Sequence, residues 1–315
     1  MGIELPHILF FLAAALLIDC LYGEFPNRFH PVVWIGKSIR LATLPLEYLG
    51  AKGQLIGGAM VALLLPCFWI LVVSIILNTA KDNVLVTFVL AIFILKSTFA
   101  LRALGEASLT IQGLLAGGNL DEARFRLRWL CSRDSDQLSE EEIVSASLGS
   151  MSENLSDSFV APLFYFFLFG IEGAVFFRVV NTMDAVIGYR GRYEYMGKAA
   201  AKLDDIMGLI PARITALLII VSGPVLAKSL RQGFKTTLRD HHKTPSPNGG
   251  WPMAAFAGVL DTEISKKGVY QLGSKRTYLN ETYITEGWHI IKTASGGMII
   301  LLIFFLWIFN GYAFF

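Results

Sequence analysis

The chain has 315 residues, of which 54% are hydrophobic and only 17% are charged, and its formal net charge is +2. Typical globular domains carry about 25% charged residues, so this composition excludes two ordinary soluble domains, a disordered tail and a disulfide-rich secreted module. The near-neutral charge also gives no sign of a nucleic-acid partner. The remaining class is a polytopic protein embedded in a lipid bilayer.

Six apolar runs are candidates for membrane helices, because a bilayer core of about 30 Å requires about 20 helical residues. Four are largely uninterrupted and cover residues 5–18, 55–77, 83–100 and 298–315. Lys96 lies near the end of the third run, where we expect its long side chain to reach the membrane surface. The other two runs, 159–177 and 206–227, contain glycine, proline and charged residues. Broken helices at membrane depth usually line a polar cavity, so we expect both runs to be broken or re-entrant.

The distribution of Lys and Arg predicts the orientation of the chain. Residues 23–54 carry four basic side chains, and the short turn 78–82 carries one. The positive-inside rule therefore places 23–54 in the cytosol. We predict one integral membrane domain over residues 1–315, all-α, with four to six transmembrane or re-entrant helices. Its large cytosolic helical segments are 23–54, 102–158, 178–205 and 228–288.

Two polar segments begin with helix-capping signals. Asn119 precedes a stretch that has leucines on one face and arginines on another. Ser139 and Glu142 have the spacing of a capping box, in which each side chain bonds the backbone N–H of the other residue. Helices are therefore predicted to begin at both positions.

Acidic side chains are grouped at the ends of the two interrupted runs. Glu153 and Asp157 are four residues apart, which would place both carboxylates on one face of a helix. Asp184 lies in a second group among arginines, and Asp204 and Asp205 are adjacent in a third. Carboxylates interleaved with arginines are typical of a site for Mg²⁺ and phosphate. A solvated helix start or a helix cap is the alternative for each pair taken alone.

A loop from Pro245 to Pro252 contains three prolines, two glycines and an asparagine. This composition favours a rigid turn with exposed backbone N–H groups. The turn would cradle an anion or hold Trp251 against a flat ligand, and an ordinary surface turn is the alternative. His30, in a polar and aromatic elbow after the first run, is either a structural histidine or an acid–base catalyst.

Taken in order, these motifs resemble those of the CobD/CbiB family, the adenosylcobinamide-phosphate synthases of cobalamin biosynthesis. Residues 29–36 resemble its HPVxxxG signature, and residues 152–165 resemble its ENxxDxxxAPLFY block. Further matching motifs are 178–184, 188–190, 203–205, 211–213 and 246–252. The resemblance extends from Asp19 to about Gly273. Ser135 stands where the family commonly has threonine, and Ser158 stands where glycine is common.

The resemblance implies a ligase of the cell (inner, cytoplasmic) membrane with its active site facing the cytosol. Such an enzyme joins the propionate carboxyl of adenosylcobyric acid to aminopropanol or its O-phosphate, with ATP and Mg²⁺. The carboxylates implied to be catalytic are Glu153, Asp157, Asp184 and Asp205. Those four and Asp204 are the implied metal ligands. The residues implied to bind substrates or phosphates are Asn154, Arg178, Asn181, Tyr189, Arg190, Arg213, Arg133, Ser246, Asn248, Trp251, His30 and Trp34.

The resemblance also bears on topology and on the alternatives. Because ATP is cytosolic, we expect that 159–177 and 206–227 are not both simple spans, which would expose 178–205 outside. Other membrane enzymes of the cobalamin pathway are candidate partners. A corrinoid-binding scaffold or a transporter without catalysis is the alternative function.

Overall fold

The structure is a computed structural model that describes residues 5–131, 134–189, 191–275 and 278–309. Within these residues the chain is predominantly helical. The α-helices are α1 (Leu5–Tyr22), α2 (Pro31–Thr43), α3 (Ala51–Ala80), α4 (Val84–Lys96), α5 (Leu101–Ala116), α6 (Leu120–Leu130), α7 (Glu140–Leu155), α8 (Ala161–Ile187), α9 (Lys198–Val225), α10 (Leu230–Asp240), α11 (Gly250–Leu260) and α12 (Thr282–Ile308). Strands β1 (Glu263–Lys266) and β2 (Tyr270–Gly273) form an antiparallel hairpin, which was not predicted from the sequence.

Among the described residues, five helical stretches are long and apolar enough to cross a membrane. They cover Ala51–Ala80, Val84–Ala116, Glu140–Ile187, Lys198–Val225 and Thr282–Ile308. The prediction of an all-α polytopic membrane protein with four to six membrane helices is therefore confirmed.

The chain folds into two compact units, each assembled from separate stretches of sequence. The first contains Met1–Ala100, Ala161–Met207 and Leu302–Phe315, and in it α2 and α3 pack against α8 while α1 packs against α4. The second contains Leu101–Val160 and Gly208–Leu301, and its core is formed by the almost completely buried helices α7 and α11. A single membrane domain over residues 1–315 remains a prediction.

Helix α8 folds back on itself at Phe169 and Gly170. Gly170 has φ 66° and ψ −156°, a conformation that is essentially restricted to glycine. As a result, the rings of Tyr165 and Phe177 stack with their centroids 5.4 Å apart. Twelve residues of straight helix would separate the same positions by about 18 Å. The prediction that the run 159–177 is broken is confirmed.

Helix α9 is continuous through Pro211 and Pro224, so the prediction of a break within 206–227 is wrong. A proline lacks the N–H that would bond to the carbonyl four residues earlier, which for Pro211 is the carbonyl of Met207. The hydroxyl of Tyr165 donates to that carbonyl at 2.9 Å. Because a neighbouring side chain satisfies the freed acceptor, the helix continues past the proline.

Both capping predictions are confirmed. The side chain of Asn119 accepts a hydrogen bond from the N–H of Glu122 at the start of α6. At the start of α7, Ser139 Oγ accepts from the Glu142 N–H at 3.3 Å, and Glu142 Oε2 accepts from the Ser139 N–H at 2.8 Å. These contacts are local, so residue spacing alone is enough to predict them.

Lys96 is fully buried at the end of α4, so the prediction that it reaches the membrane surface is wrong. Its Nζ lies 3.1 Å from Asp19 Oδ1 and 2.7 Å from Glu24 Oε1. The second carboxylate oxygen of Glu24 is 2.5 Å from His30 Nε2. Pairing with two carboxylates offsets the cost of removing the ammonium group from water.

Candidate functional site

The acidic cluster, which we define as Asp184, Asp204 and Asp205, lies near the end of α8 and in the first turns of α9. Its three carboxylates interact electrostatically with one another. The carboxylate of Asp184 lies against the backbone of Gly188, where an added Cβ would be 2.0 Å from Asp184 Oδ1. A group of oxygen donors with this charge suits a hard cation or the ammonium group of an amine.

A chain of hydrogen bonds links the acidic cluster to Arg178. Arg178 Nη1 donates to Asn181 Oδ1 at 3.2 Å, and Asn181 Nδ2 donates to Asp204 Oδ1 at 3.3 Å. Arg178 also donates from Nε to the Thr98 carbonyl at 2.7 Å, and its Nη2 donates to the same oxygen. The structure thus brings together residues that were predicted separately. Three of the five guanidinium N–H groups hold Arg178 in place, which orients Asp204 through Asn181.

In the part of the chain that the structure describes, no group of three or more His, Cys, Asp or Glu side chains forms a ready metal cage. Mg²⁺ does not require one, because it is usually held by one or two carboxylates together with substrate phosphates and water. The acidic cluster offers only oxygen donors. Its chemistry therefore fits Mg²⁺ and does not resemble a zinc site.

Glu153 and Asp157 lie on different kinds of helical turn. Helix α7 ends at Leu155, and residues 156–160 form a π-helical turn. A π turn has i→i+5 hydrogen bonds and so changes the register of the side chains that follow it. Glu153 and Asp157 are both half-buried, whereas Leu155 and Ser156 between them are buried, which agrees with the prediction that the two acidic residues share one face. Turns of the π type frequently occur at functional sites.

The loop of residues 244–250 packs against Glu153. An added Cβ on Gly249 would lie 2.7 Å from Glu153 Oε1, so the absence of a side chain allows this approach. Ser246 Oγ accepts hydrogen bonds from the N–H groups of Asn248 and Gly249, at 3.2 and 3.3 Å. These two amides are used inside the loop, so they are not the exposed anion cradle that the composition predicts.

Arg213, Trp251 and His241 form a stacked group. The guanidinium carbon of Arg213 lies 4.6 Å from the centroid of the Trp251 ring, and the imidazole of His241 stacks on the same indole at 4.1 Å. Arg213 and Trp251 were predicted separately, whereas the contribution of His241 was missed. The only sequence signal for it was its position beside His242. Flat cationic and aromatic groups of this kind bind planar or anionic ligands.

Two titratable groups of opposite character lie next to each other at the end of α10. Burial lowers the pKa of His241 from its ordinary value of 6.5, and electrostatic interactions with His242 and Arg213 lower it further. Burial alone would raise the pKa of the Asp240 carboxyl, but hydrogen bonds, first among them that from Arg239, hold it well below its ordinary value. His241 is therefore neutral and Asp240 ionised at neutral pH.

His30 and Trp34 have structural contacts at the start of α2. His30 Nδ1 accepts the N–H of Val32 at 3.2 Å and caps the helix. Trp34, together with Arg178 and mostly apolar side chains, lines a cavity of about 240 Å³ in the first unit. Sites for drug-sized ligands typically measure about 300–1,000 Å³, so this cavity cannot enclose a corrinoid.

The remaining predicted residues have separate environments. Asn154 Nδ2 donates to the Ser150 carbonyl one turn earlier in α7, at 2.9 Å. Tyr189 is exposed in the connection after α8. Arg133 and Arg190 lie outside the described residues.

Comparison with known proteins identifies the family. The family model described as CobD/Cbib protein matches residues 12–295. The cobalamin biosynthesis protein CobD of Dehalococcoides mccartyi is 40% identical over 272 residues, which cover 85% of this chain and 87% of that protein. Probable cobalamin biosynthesis proteins CobD of Methanococcus aeolicus and Methanothermobacter thermautotrophicus are 35% and 38% identical, over 88% and 83% of this chain and 90% and 86% of theirs. No solved structure matches. Because the family model covers nearly the whole chain, this protein belongs to the CobD/CbiB family.

Proposed function

We propose that this protein is an enzyme of cobalamin biosynthesis that forms an amide bond. It joins the propionate carboxyl of adenosylcobyric acid to the amine of aminopropanol or its O-phosphate, with ATP and Mg²⁺. The reaction takes place in the cell membrane, with the active site facing the cytosol. Family membership and the names of the relatives support the pathway. The observation that carries the chemistry is the acidic cluster joined through Asn181 to Arg178.

The proposed reaction has two steps, because a carboxylate is a poor acyl donor. First, a carboxylate oxygen of adenosylcobyric acid attacks the terminal phosphorus of ATP, and ADP leaves. The amine nitrogen then attacks the acyl carbon, inorganic phosphate leaves, and the nitrogen loses a proton. The protein must therefore hold phosphates and orient a carboxylate, an amine and a large flat substrate.

The acidic cluster is assigned to the phosphate end of this chemistry. Its carboxylates would hold Mg²⁺, which supplies positive charge to the phosphates of ATP when bound. Arg178 and Asn181 are positioning residues, since their hydrogen bonds fix the direction of the Asp204 carboxylate.

The other two groups are assigned to the organic substrates. Glu153, which lies against the glycine backbone of the 244–250 loop, is assigned to the ammonium group of the amine. The stacked group of Arg213, Trp251 and His241 is assigned to the corrin ring or to a substrate phosphate, because it combines a flat surface with a fixed positive charge.

The test uses the purified full-length chain in nanodiscs, supplied with adenosylcobyric acid, Mg-ATP and either amine form. Amide product and ADP are expected, measured by mass spectrometry and a coupled assay. Asp204→Asn is expected to lower the rate by about 100-fold or more, because a charged group at the phosphates is lost. Asp121→Asn is the matched control, since that carboxylate is 94% exposed on α6.

Two outcomes would contradict the proposal. Full activity of both Asp204→Asn and Asp184→Asn would contradict the assignment of the acidic cluster to the phosphate end of the reaction. Tight binding of adenosylcobyric acid by the protein in nanodiscs, with neither amide product nor ADP formed, would favour a corrinoid-binding scaffold or transporter.

A further inference from the structure

Helix α10 has an inverted distribution of polar and apolar residues. The face that packs against α11 carries Gly233, Thr236 and Thr237, all of which are buried. The exposed face carries Leu230, Phe234 and a Leu238 side chain that is 66% exposed. A helix on a water-facing surface has the opposite arrangement, with its large apolar residues toward the protein. The exposed stripe of α10 therefore faces an apolar medium.

The exposed stripe is bordered by positive charge. Arg231 and Lys235 follow Leu230 and Phe234 by one residue each, so they lie along one edge of the stripe and are exposed. Arg239 continues the same row and is bound to Asp240. The one acidic residue of α10, Asp240, is fully buried. An apolar stripe with a basic edge and no exposed acid is the pattern of a helix that lies in a membrane surface.

The position of α10 in the chain places it beside the bilayer. The membrane helix α9 ends at Val225, and only residues 226–229 separate it from α10. With 11 residues, α10 is about 16 Å long, too short to cross a core of about 30 Å. The distribution of basic residues also predicts that the segment 228–288 lies on the cytosolic side of the membrane, where the leaflet is anionic.

We propose that α10 lies in the headgroup region of the membrane and binds anionic phospholipids. Leu230, Phe234 and Leu238 insert toward the acyl chains, and Arg231 and Lys235 contact the lipid phosphates. This contact does not depend on the proposed enzymatic activity.

The first test measures the depth of the stripe in the full-length protein. A nitroxide is placed on Leu238→Cys in a background in which Cys20, Cys67 and Cys131 are replaced, and the protein is reconstituted into nanodiscs of phosphatidylcholine and phosphatidylglycerol. Greater accessibility to oxygen than to a water-soluble nickel reagent is expected at this position. The reverse order is expected at the water-facing control, Asp121→Cys. The proposal would be overturned if both positions showed the same order of accessibility to the two reagents. It would also be overturned if position 238 were protected from both reagents, as expected where a protein partner covers the stripe.

The second test measures the preference for anionic lipid. The double variant Arg231→Gln/Lys235→Gln is expected to reduce the ratio of phosphatidylglycerol to phosphatidylcholine retained by the purified protein by up to about 30-fold, from the usual contribution of basic residues at an anionic surface. Lys266→Gln/Lys267→Gln removes the same charge from the β-hairpin and is expected to leave the ratio unchanged. An equal ratio in both double variants would show that the basic edge of α10 does not bind anionic lipid.

Discussion

Lys96 shows how a single charge can be buried at the end of a membrane helix. Its ammonium group has two carboxylate partners, from Asp19 and Glu24, and donates to the Phe99 carbonyl at 3.3 Å. Burial by itself would raise the pKa of Glu24, but the hydrogen bonds from His30 and Lys96 lower it overall from 4.5. The stabilisation from Glu24 is therefore complete above its ordinary pKa and is lost as the pH falls through the lower value of the folded state.

Replacing Lys96 by methionine is expected to be strongly destabilising. The substitution leaves Asp19 and Glu24 close together without their cation, and breaking a buried pair in this way costs about 3–5 kcal/mol. The measurement is thermal unfolding in detergent, followed by circular dichroism. Lys37→Met, on the exposed side of α2, is the control and should melt like the wild type. The triple variant with Asp19→Asn and Glu24→Gln should recover part of the loss, and a normal melting curve for Lys96→Met alone would refute the account.

The stacked group of Arg213, Trp251 and His241 leads to a prediction about the pKa of His241. Burial and electrostatic interactions with His242 and Arg213 lower the pKa of His241, so Arg213→Gln is expected to raise this pKa toward 6.5. The pKa is measured by NMR of ring-labelled histidine, with Lys266→Gln as the control that removes a distant charge. Because the pKa of His241 is lower in the folded state, the stabilisation that its stacking contributes is complete above the ordinary pKa of 6.5. This stabilisation is lost as the pH falls through the lower pKa of the folded state. An unchanged or lower pKa in Arg213→Gln would contradict the electrostatic contact.

At the scale of elements, α9 remains continuous because of a residue in another helix. Tyr165 lies in the part of α8 that precedes the reversal, and its hydroxyl donates a hydrogen bond to the Met207 carbonyl. Pro211 leaves this carbonyl without an intrahelical donor. Tyr165→Phe is expected to cost about 1–3 kcal/mol, the usual cost of an unsatisfied buried acceptor.

A double-mutant cycle tests this coupling. Pro211→Ala restores the N–H, so Tyr165→Phe should cost much less in the Pro211→Ala background than in the wild type. The free energy of unfolding of the four proteins is the measurement. Additive effects would show that the hydroxyl does not act through this carbonyl.

The contrast between α7 and α9 shows what the sequence can predict. The capping box of Ser139 and Glu142 is readable because its partners are three residues apart. The continuity of α9 is not readable from Pro211, because the compensating hydroxyl is 42 residues from the carbonyl it serves. The burial of Lys96 depends in the same way on Glu24, 72 residues earlier. Polar and interrupted segments are visible in sequence, whereas the partners that satisfy them depend on tertiary packing.

The candidate site follows the same rule. The carboxylates of the acidic cluster stand out as charges beside apolar runs, so their residue types and positions are predictable. The link from Arg178 to Thr98 spans 80 residues, so the hydrogen bonds that hold Arg178 and Asn181 beside Asp204 could not be predicted from residue spacing. The π turn that contains Asp157 was not predictable either, since nothing in simple helical spacing signals such a turn.

At the scale of the whole molecule, the reversal within α8 determines where this helix ends within the first unit. The connection after α8 lies at the same end as the start of α3. Arg192 Nη2 is within 3.0 Å of both carboxylate oxygens of Glu47, and an added Cβ on Gly58 would lie 2.0 Å from the Met196 carbonyl. This geometry supports the expectation that residues 178–205 share a side of the membrane with residues 23–54.

Labelling of single cysteines in intact cells tests this topology. Helix α3 has 30 residues and is about 45 Å long, so we expect the turn at Asp82 beyond its far end to lie on the opposite side of the bilayer. In a cysteine-free background, Glu47→Cys and Arg192→Cys should react only after the membrane is permeabilised, because the basic residues of 23–54 predict a cytosolic location for that side. Cys at position 82 should react with an impermeant reagent from outside. If position 192 reacts from outside while position 47 does not, the connection after α8 crosses to the other side, and the phosphate chemistry assigned to the acidic cluster would lose access to cytosolic ATP.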